Sequence, residues 1–600
     1  MNPYRAPLAD MQFVMAELAG LDDVAGLPGF EDATPDTVGA VLDEAAKFAS
    51  EVLDPLNRVG DREGARIGPD GSVTTPSGFK DAYRRFCELG WNGLAKDPRF
   101  GGGGMPHLVA AAVDEIWNAA NLAFELCPML TAGAIEAIEL NGSDELKRTY
   151  LPKMVAGEWT GTMNLTEPQA GSDLAAVRTK AVRQVDGTYK VSGTKIFITY
   201  GEHDYTDNIV HLVLARTPDA PPGVKGISLF VVPKFLVDAD GSLGARNDVR
   251  CVSLEHKLGI HASPTAVLAF GDGGGAVGYL VGEENRGLEY MFVMMNFARF
   301  GVGIQGVGIA DRAYQLAADY ARERVQGRPV GVGGDGPGAG IIGHPDVRRM
   351  LMTMRAYTEA ARALCYVTAA ALDRADRHPD AAARKRELAF AELMIPIVKG
   401  WSTEVAQRVA HLGVQVHGGV GYVEETGAAQ YARDARITTI YEGTTGIQAN
   451  DLIGRKIARD EGRALAAAVA VVRGIEGELT GARNGDLAVI GTRLRAGTDA
   501  LEDAGRFVAT RYRQDPRGVA AGAVPLLELG GIVFGGAQLA RAALVAARRL
   551  SAGEGEANFL RAKIVTARHF ADHVLPHAGA LHESIVSGAA SVLALSDDQF

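Results

Sequence analysis

The chain has 600 residues, of which 47% are hydrophobic and 22% charged, a composition typical of globular proteins and a length that predicts several domains. The net charge of −12 at pH 7 argues against broad, nonspecific binding of nucleic acid, which requires a positive surface. The four cysteines are scattered and none belongs to a CxxC motif, which argues against a disulfide framework or a zinc site and favours a reducing, cytoplasmic location.

Residues 1–36 are predicted to form an N-terminal arm. Asp10 and Glu17 interrupt its apolar stretch, so the arm lacks the unbroken apolar segment of a signal peptide. The most apolar later stretch, GVAAGAVPLLELGGIVFGGAQLA, is interrupted by Pro525 and Glu528, and we interpret it as buried helix rather than as a membrane span. Contact of the C-terminal region with a membrane surface is an alternative that the sequence permits but does not favour.

The periodicity of apolar residues divides the rest of the chain. Residues 37–160 have helical periodicity, with an apolar face made by Val38, Val41, Leu42, Ala45, Phe48 and Val52. Residues 161–280 contain runs such as TYKVSGTKIFIT and NIVHLVLART, which predict a small antiparallel sheet or barrel. Residues 281–465 return to helical periodicity, with a glycine-rich loop from Gly331 to Gly343, and residues 466–600 predict an additional helical domain. The sequence therefore predicts a mainly α fold with an inserted β domain.

Glu442 is a candidate general base, because it lies between an aromatic residue and Gly443 in a stretch of apolar and hydroxyl side chains. Burial raises the pKa of a carboxyl group and makes the carboxylate a stronger base, as proton removal from a carbon acid requires. Gly443 permits a tight bend that leaves a backbone N–H for a ligand oxygen, and Thr444 can cap the helix that follows. The alternative is that Glu442 caps a helix or pairs with Arg433 or Arg436.

Four further stretches carry residues suited to ligand binding, and each has a purely structural alternative. The stretch MNLTEPQAGSDL predicts either a loop with free backbone N–H groups or a surface turn. In KIFITYG, Phe197 and Thr199 share one side of a strand, where they line a ring system or pack in the core. The arginines of ARERVQGRP match phosphate oxygens or form a solvated face, and the glycines of QVHGGVGY allow a flat ligand to approach. His417 in the latter is interpreted as a satisfied structural histidine, and neither a metal-ligand cluster nor a Ser–His–Asp motif is apparent.

Taken in this order together with RDARITTIYEGTTGIQ, these motifs resemble the acyl-CoA dehydrogenase family of flavoproteins over about residues 40–460. The resemblance implies an N-terminal helical domain, a middle β domain and a C-terminal four-helix bundle with FAD bound between them, followed here by extra helices. It also implies that Glu442 removes the α-proton of an acyl-CoA thioester while a hydride passes from Cβ to flavin N5, giving a trans-2-enoyl-CoA. The electrons are then expected to pass to electron-transfer flavoprotein, and the backbone N–H of Glu442 to stabilise the thioester oxygen.

The same resemblance implies roles for individual residues. The expected FAD contacts are Met163, Leu165, Thr166, Ser172, Phe197, Thr199, Arg324, Gln415, Gly418, Gly419 and Thr444. The expected substrate contacts are Ser172, Arg299 and Gly443. The chain departs from the family pattern where it has Phe197 for tryptophan, Tyr200 for asparagine, Pro345 for glutamine and Gly446 for a polar residue. These departures leave single contacts open but not the cofactor.

The two ends of the chain are similar to those of long bacterial members, which include 3-(methylthio)propanoyl-CoA and broad fatty-acyl-CoA dehydrogenases. We expect the extension to cover the face that a second dimer covers in tetrameric members, which predicts a homodimer. Two other functions stay open at this point, an acyl-CoA oxidase that uses O2 and a noncatalytic DNA-binding relative. The second of these requires a basic face around residues such as Arg541, Arg548 and Arg549. The sequence does not distinguish a methylthio from a plain fatty acyl substrate, nor one chain length from another.

Overall fold

The computed structural model describes residues 3–331, 340–482 and 484–600, and its order of helices, sheet and helices confirms the predicted mainly α fold with an inserted β domain. Most of the predicted glycine-rich loop from Gly331 to Gly343 lies outside the described residues. The chain divides into two compact units. The first unit consists of the described parts of Met1–Ala46, Pro106–Ala119 and Val302–Phe600, and the second of Lys47–Met105 and Ala120–Gly301.

The helices that precede the sheet confirm the helical periodicity read from the sequence. They are α1 (Leu8–Phe13), α2 (Leu21–Ala25), α3 (Pro35–Phe48), α4 (Asp54–Glu63), α5 (Phe79–Glu88), α6 (His107–Asn141) and α7 (Asp144–Val155), with π-helical turns at Val14–Ala19 and Ala49–Leu53. A small hairpin, β1 (Arg66–Ile67) and β2 (Val73–Thr74), separates α4 from α5. Helix α6 is kinked at Asn121, whose side chain accepts the N–H of Phe124 and donates to the carbonyl of Leu53.

The β domain is an eight-stranded sheet with an additional two-stranded ribbon. Its strands are β3 (Trp159–Asn164), β4 (Lys180–Arg183), β5 (Tyr189–Thr199), β6 (Asn208–Ala215), β7 (Ser228–Pro233), β8 (Phe235–Val237), β9 (Leu243–Arg246), β10 (Val249–Leu254), β11 (Thr265–Phe270) and β12 (Ala276–Leu280). The order in the sheet is β10-β11-β5-β12-β7-β6-β3, with β4 beside β5, while β8 and β9 form the ribbon.

One pair of strands corrects the prediction of an antiparallel sheet. Strands β3 and β6 pair in parallel, from Trp159 opposite Asn208 to Asn164 opposite Val213, whereas the other neighbours are antiparallel. A parallel pair requires a long connection, and here β4 and β5 supply it. The alternation within a strand does not reveal the direction of its partner, so the sequence could not predict this pair.

The centre of the sheet is buried on both faces. Every residue of β6 and β7 is buried, which explains why these strands are continuously apolar rather than alternating. The apolar cluster includes Val191 of β5, Phe230 of β7 and Leu268 of β11. This packing fixes the ends of β3 and β5, from which candidate ligand-binding residues project.

The helical bundle after the sheet contains α8 (Gly287–Glu323), α9 (Pro345–Arg377), α10 (Ala381–His417), α11 (Ala428–Thr438) and α12 (Thr445–Asp451), which continues as a π-helical turn, Leu452–Ala458. Helices α8 and α10 approach closely because two glycines of α8 face α10. A Cβ on Gly303 would lie 2.4 Å from Val398, and a Cβ on Gly306 would lie 2.5 Å from the carbonyl oxygen of Ser402. Both contacts flank Lys399, which is therefore enclosed where the two helices cross.

The extension is helical, as predicted. It consists of α13 (Arg463–Thr480), α14 (Gly485–Arg511), α15 (Pro516–Ala521), α16 (Ala523–Ala552), α17 (Ala557–His573), α18 (His577–Ser587) and α19 (Ala589–Val592). Among the described residues, α6, α8 and α16 are long and apolar enough to cross a membrane, but their most apolar windows are 89%, 67% and 94% buried within the fold. Buried charges join the N-terminal arm to the bundle and to the extension, because Asp10 pairs with Arg362 of α9 and with Lys563 of α17.

Candidate active site

Glu442 lies on the turn between α11 and α12, here called the α11–α12 turn (residues 439–444). Its φ is +54° and that of Gly443 is +88°, so two successive residues adopt the left-handed conformation. Residues other than glycine, asparagine and aspartate rarely adopt this backbone conformation, and holding such a residue in it costs about 1–3 kcal/mol. The N–H of Thr445 donates to the carbonyl of Thr439 and closes the turn, and the hydroxyl of Thr444 accepts the N–H of Ile447, which confirms the predicted cap.

Interior side chains donate hydrogen bonds to the backbone carbonyls of Glu442 and Gly443. The ammonium of Lys399, which is fully buried, donates to the carbonyl of Gly443 at 2.5 Å. The amide of Gln448 donates to the carbonyls of Glu442 and Gly443, at 3.1 and 3.4 Å. The hydroxyl of Thr445 donates to Glu404 of α10 at 2.7 Å. The turn is thus hydrogen-bonded to α10 and α12 around the half-buried Glu442.

The neighbours of Glu442 have defined partners of their own. The Tyr441 hydroxyl donates to Gln305 of α8, and burial raises the pKa of Tyr441, so this group stays neutral beside the carboxylate. Of the two arginines considered as partners for Glu442, Arg433 pairs with Glu424 at 2.7 Å and Arg436 donates to the hydroxyl of Thr439.

In the second unit, the β3–β4 loop (residues 165–179) carries the predicted flavin-binding residues. Met163, at the end of β3, and Thr166 are half-buried, Leu165 is buried and Ser172 is exposed. Glu167 anchors this loop from inside. Its carboxylate accepts from the Lys195 ammonium at 2.8 Å, the Thr179 hydroxyl at 2.6 Å, the backbone N–H groups of Arg178 and Thr179 at 2.8 and 3.0 Å, and the Gln169 amide at 2.6 Å. Lys195 also donates to the carbonyl of Leu165 at 3.0 Å.

The end of β5 lies against this loop, because the N–H of Ile196 donates to the carbonyl of Thr166. Its register against β11 shifts beside Phe197, which has φ +59° and is 58% exposed. Core packing of Phe197, the structural alternative, is therefore wrong. Tyr200 is also left-handed, at φ +50°, and its buried hydroxyl donates to the carbonyl of Ala123 at 2.7 Å. Tyr200 thus anchors the end of β5 to α6 at a position where asparagine would adopt the same φ readily.

A separate group of predicted residues surrounds an open concavity of about 540 Å³ in the first unit. Its lining includes Tyr320, Arg324, Gln326, His417, Gly418 and Gly419. A Cβ on either glycine would meet nothing within 4 Å, so both present bare backbone to the open space. His417 is a satisfied structural histidine, since its ring stacks on Tyr320 at 4.4 Å and its Nδ1–H donates to the carbonyl of Gly413.

The remaining predicted residues lie on helices α8, α9, α10 and α12. Gln415 is exposed on α10, and its carbonyl accepts the N–H of Gly418. Arg299 is buried on α8, where it donates to Asn296 at 3.5 Å. Pro345 begins α9, and Gly446 lies in the first turn of α12. In the described parts of the chain, no three His, Cys, Asp or Glu residues form a group that could hold a metal ion.

The chemistry of these groups fits a flavin dinucleotide. An exposed guanidinium at Arg324 beside a glycine floor suits a pyrophosphate and a flat base. An exposed aromatic ring at Phe197, with the half-buried hydroxyls of Thr166 and Thr199, suits a heteroaromatic ring with polar edges.

Sequence reasoning missed four residues that support the candidate site, namely Glu167, Lys195, Lys399 and Gln448. Glu167 and Lys195 lie within motifs that the sequence had singled out, but only their neighbours were assigned roles. Lys399 had a weaker signal, as the single charge in the apolar stretch IPIVKGWS. A lone charge at an interior helical position is rare enough to mark a required partner.

Comparison with known proteins identifies four domain profiles along the chain. The acyl-CoA dehydrogenase N-terminal, middle and C-terminal domains match residues 35–158, 162–272 and 285–457. A profile described as acetyl-CoA dehydrogenase C-terminal like matches residues 458–596. The matches therefore extend over the helical N-terminal region, the sheet, the bundle and the extension.

Relatives of this chain align along almost its whole length. The 3-methylmercaptopropionyl-CoA dehydrogenase of Ruegeria pomeroyi is 51% identical over 99% of this chain and 100% of its own length. The broad-specificity linear acyl-CoA dehydrogenase FadE5 of Mycobacterium tuberculosis is 37% identical over the whole of both chains. Among solved structures, Caenorhabditis elegans ACDH-11 in complex with C11-CoA has the same fold, with a TM-score of 0.77 at 20% identity over 98% of this chain and 96% of that one.

Proposed function

The chain belongs to the acyl-CoA dehydrogenase family and is an FAD-dependent oxidoreductase, and we propose that Glu442 is the base that removes the α-proton of its acyl-CoA substrate. When bound, FAD supplies the acceptor for the hydride that leaves Cβ. The observation that carries the proposal is the strained conformation of Glu442, on a turn whose carbonyls are bound by interior side chains. Such strain persists where the surroundings impose it, and it is concentrated at functional sites.

The proposed chemistry assigns separate tasks to groups of this chain. The Glu442 carboxylate takes the α-proton, and the product is the trans-2-enoyl-CoA. The backbone N–H of Glu442 donates to the thioester oxygen as negative charge develops there. Tyr441, whose pKa burial raises further above its ordinary value, adds no second negative charge beside the base.

Residues of both units are proposed to hold FAD. In the first unit, Arg324 contacts the pyrophosphate of the FAD of a neighbouring subunit, Gln415, Gly418 and Gly419 contact the adenosine portion, and Thr444 contacts the cofactor beside the base. In the second unit, Met163, Leu165, Thr166, Ser172, Phe197 and Thr199 contact the flavin ring. Ser172, Arg299 and Gly443 are the proposed substrate contacts. The exposed ring of Phe197 and the open space above the backbone of Gly418 and Gly419 support these assignments.

Replacement of Glu442 by glutamine tests the base. We expect Glu442→Gln to retain FAD and to lose turnover by roughly 10²- to 10⁴-fold, the usual contribution of a general base. Glu461→Gln is a matched control, because Glu461 is also a left-handed glutamate, at φ +60°, but lies outside the proposed site. The assay is anaerobic bleaching of the flavin absorbance by acyl-CoA. Near-normal bleaching by Glu442→Gln would place the base elsewhere.

For the substrate, we propose 3-methylmercaptopropionyl-CoA, with linear acyl-CoAs as the second candidate. The 51% identity to a dehydrogenase named for the first, over almost the whole chain, supports the order. The test is a panel of acyl-CoA thioesters with chains of about three to sixteen carbons, together with the methylthio compound. We expect the methylthio compound to have the highest kcat/KM. A linear acyl-CoA that exceeds it at least about tenfold would reverse the order.

We further propose a cytoplasmic homodimer that passes electrons to electron-transfer flavoprotein. A stable tetramer in sedimentation would contradict the dimer. Oxygen consumption at the rate of substrate oxidation, with no added acceptor, would instead indicate an oxidase. Salt-sensitive binding to duplex DNA would support a nucleic-acid role, which the family membership and the charge of −12 do not favour.

A further inference from the structure

Lys399 and Gln448 meet at the carbonyl of Gly443 from two different helices. Lys399 reaches it from α10 at 2.5 Å, and Gln448 reaches it from α12 at 3.4 Å while also donating to the carbonyl of Glu442 at 3.1 Å. Both side chains have no exposed surface. Burying an ammonium and an amide is unfavourable unless they are hydrogen-bonded, so these contacts are built into the interior rather than formed by chance at a surface.

Gly443 makes the second of these contacts sterically feasible. A Cβ at this position would lie 2.6 Å from Nε2 of Gln448, and its φ of +88° is itself unfavourable for any residue with a side chain. The glycine therefore allows the amide of Gln448 to approach the backbone and adopts the bend that turns both carbonyls towards it. Without those donors, the same glycine would give the turn its greatest freedom of φ and ψ.

The direction of the Glu442 side chain depends on that freedom being removed. The peptide plane between Glu442 and Gly443 is fixed by the hydrogen bond to the Glu442 carbonyl, and the next plane is fixed by the two bonds to the Gly443 carbonyl. If both planes rotate, Glu442 can relax to an ordinary negative φ, and its Cα–Cβ bond then swings away. A displacement of about 1 Å at a reacting group can lower the rate about 100-fold.

We propose that Lys399 and Gln448 are positioning residues that hold Glu442 in its left-handed conformation for α-proton removal. The inference rests on the proposed role of Glu442 as the base. The two residues act through the backbone of the α11–α12 turn and not by contact with substrate.

Lys399→Met and Gln448→Met test the inference, because methionine has a similar length and cannot donate. The main readout is exchange of the substrate α-proton for deuterium in D2O. The substrate is an acyl-CoA in which carbon 3 is quaternary or is replaced by a sulfur atom. This thioester has no β-hydrogen to lose, so the exchange reports proton removal alone. We expect exchange and kcat to fall together by roughly 10- to 100-fold, with KM and bound FAD changed less than about threefold. Lys563→Met, which removes another buried lysine, is the control for nonspecific destabilisation and should leave the exchange rate of the folded enzyme unchanged.

The outcomes separate this inference from the proposed function. If Glu442→Gln abolishes exchange but folded Lys399→Met and Gln448→Met exchange at the normal rate, the positioning role is wrong and the base assignment survives. If Glu442→Gln retains exchange, the base assignment itself fails. If Lys399→Met does not fold, Gln448→Met decides alone, because it removes no charge. Loss of FAD in proportion to activity would also overturn the positioning role, since it would indicate a role in cofactor binding.

Discussion

Replacing Lys195 with methionine removes the ammonium that faces Glu167 beneath the β3–β4 loop. Both side chains are enclosed, with exposed fractions of 0% and 3%, and their charged atoms are 2.8 Å apart. The other donors to Glu167 come from the loop itself, so Lys195 supplies the donor from β5, next to the backbone bond from Ile196 to Thr166. We therefore expect the variant to lose stability and to hold FAD less tightly.

The pKa of Glu167 shows how strongly its donors stabilise the charged carboxylate. Burial alone would raise this pKa, but the ammonium of Lys195, the hydroxyl of Thr179 and the N–H of Arg178 outweigh burial and lower it from 4.5 to about 2. A lowering of that size corresponds to about 3 kcal/mol of folding free energy at neutral pH, but burial also lowers the pKa of Lys195 from 10.5 to about 8, a cost of similar size that offsets it. The expected loss is therefore about 3–5 kcal/mol, the cost of breaking a buried pair by removing one partner, because the substitution leaves the Glu167 carboxylate buried without its ammonium. Because the folded-state pKa is depressed, this stability is present above about pH 4.5 and is lost as the pH falls towards 2.

Urea unfolding of the holoenzyme, followed by circular dichroism and by flavin release, measures the change. Lys153→Met is the control, since Lys153 and Glu158 form an exposed pair of the same 2.8 Å length and should contribute under about 1 kcal/mol. The double variant Lys195→Met with Glu167→Gln should recover most of the loss, because no unpaired charge then stays buried. A loss below about 1 kcal/mol in Lys195→Met, or a double variant no more stable than the single one, would refute the reasoning.

Three glycine substitutions test packing at and away from the α11–α12 turn. Gly443→Ala should fold but lower kcat at least about tenfold, because its methyl group meets Gln448 and the φ of this residue is positive. Gly446→Ala is the control: its Cβ makes only an ordinary van der Waals contact, so its kcat should stay within about twofold of wild type. Gly531→Ala should lower the free energy of unfolding by about 1–3 kcal/mol, because its Cβ would lie 2.1 Å from Cγ of Trp401; an unchanged thermal midpoint would contradict this.

The sequence was sufficient for the fold class because helical and β periodicity are local properties. The apolar run of β6 and the spacing of Val38, Leu42 and Ala45 in α3 both correspond to buried faces. The parallel pairing of β3 with β6 could not be predicted, because it depends on where the chain returns after two further strands. Likewise, alternation along β5 does not predict the left-handed residue at Phe197, which exposes a ring that the sequence could equally assign to the core.

Only those residues of the candidate site that belong to a sequence motif could be predicted. Glu442 and Gly443 belong to a recognisable motif, but Lys399 lies more than 40 residues earlier in sequence, within an apolar helix whose pattern gives it no partner. Contacts between a helix interior and a distant turn are set by the crossing of helices, here by Gly303 and Gly306 of α8 against α10. No pattern within the sequence records that crossing.

The two units use the same physical device to fix their candidate residues. In each, a lysine with no exposed surface extends from a regular element to a carbonyl of an irregular one: Lys195 of β5 to Leu165, and Lys399 of α10 to Gly443. A lysine suits this task because its long stem crosses the interior and its ammonium offers several donors. The two variants should nevertheless fail differently. Lys195→Met should lose FAD and stability, whereas Lys399→Met should keep FAD and lose α-proton exchange, because the first lysine supports a cofactor-binding loop and the second supports the base.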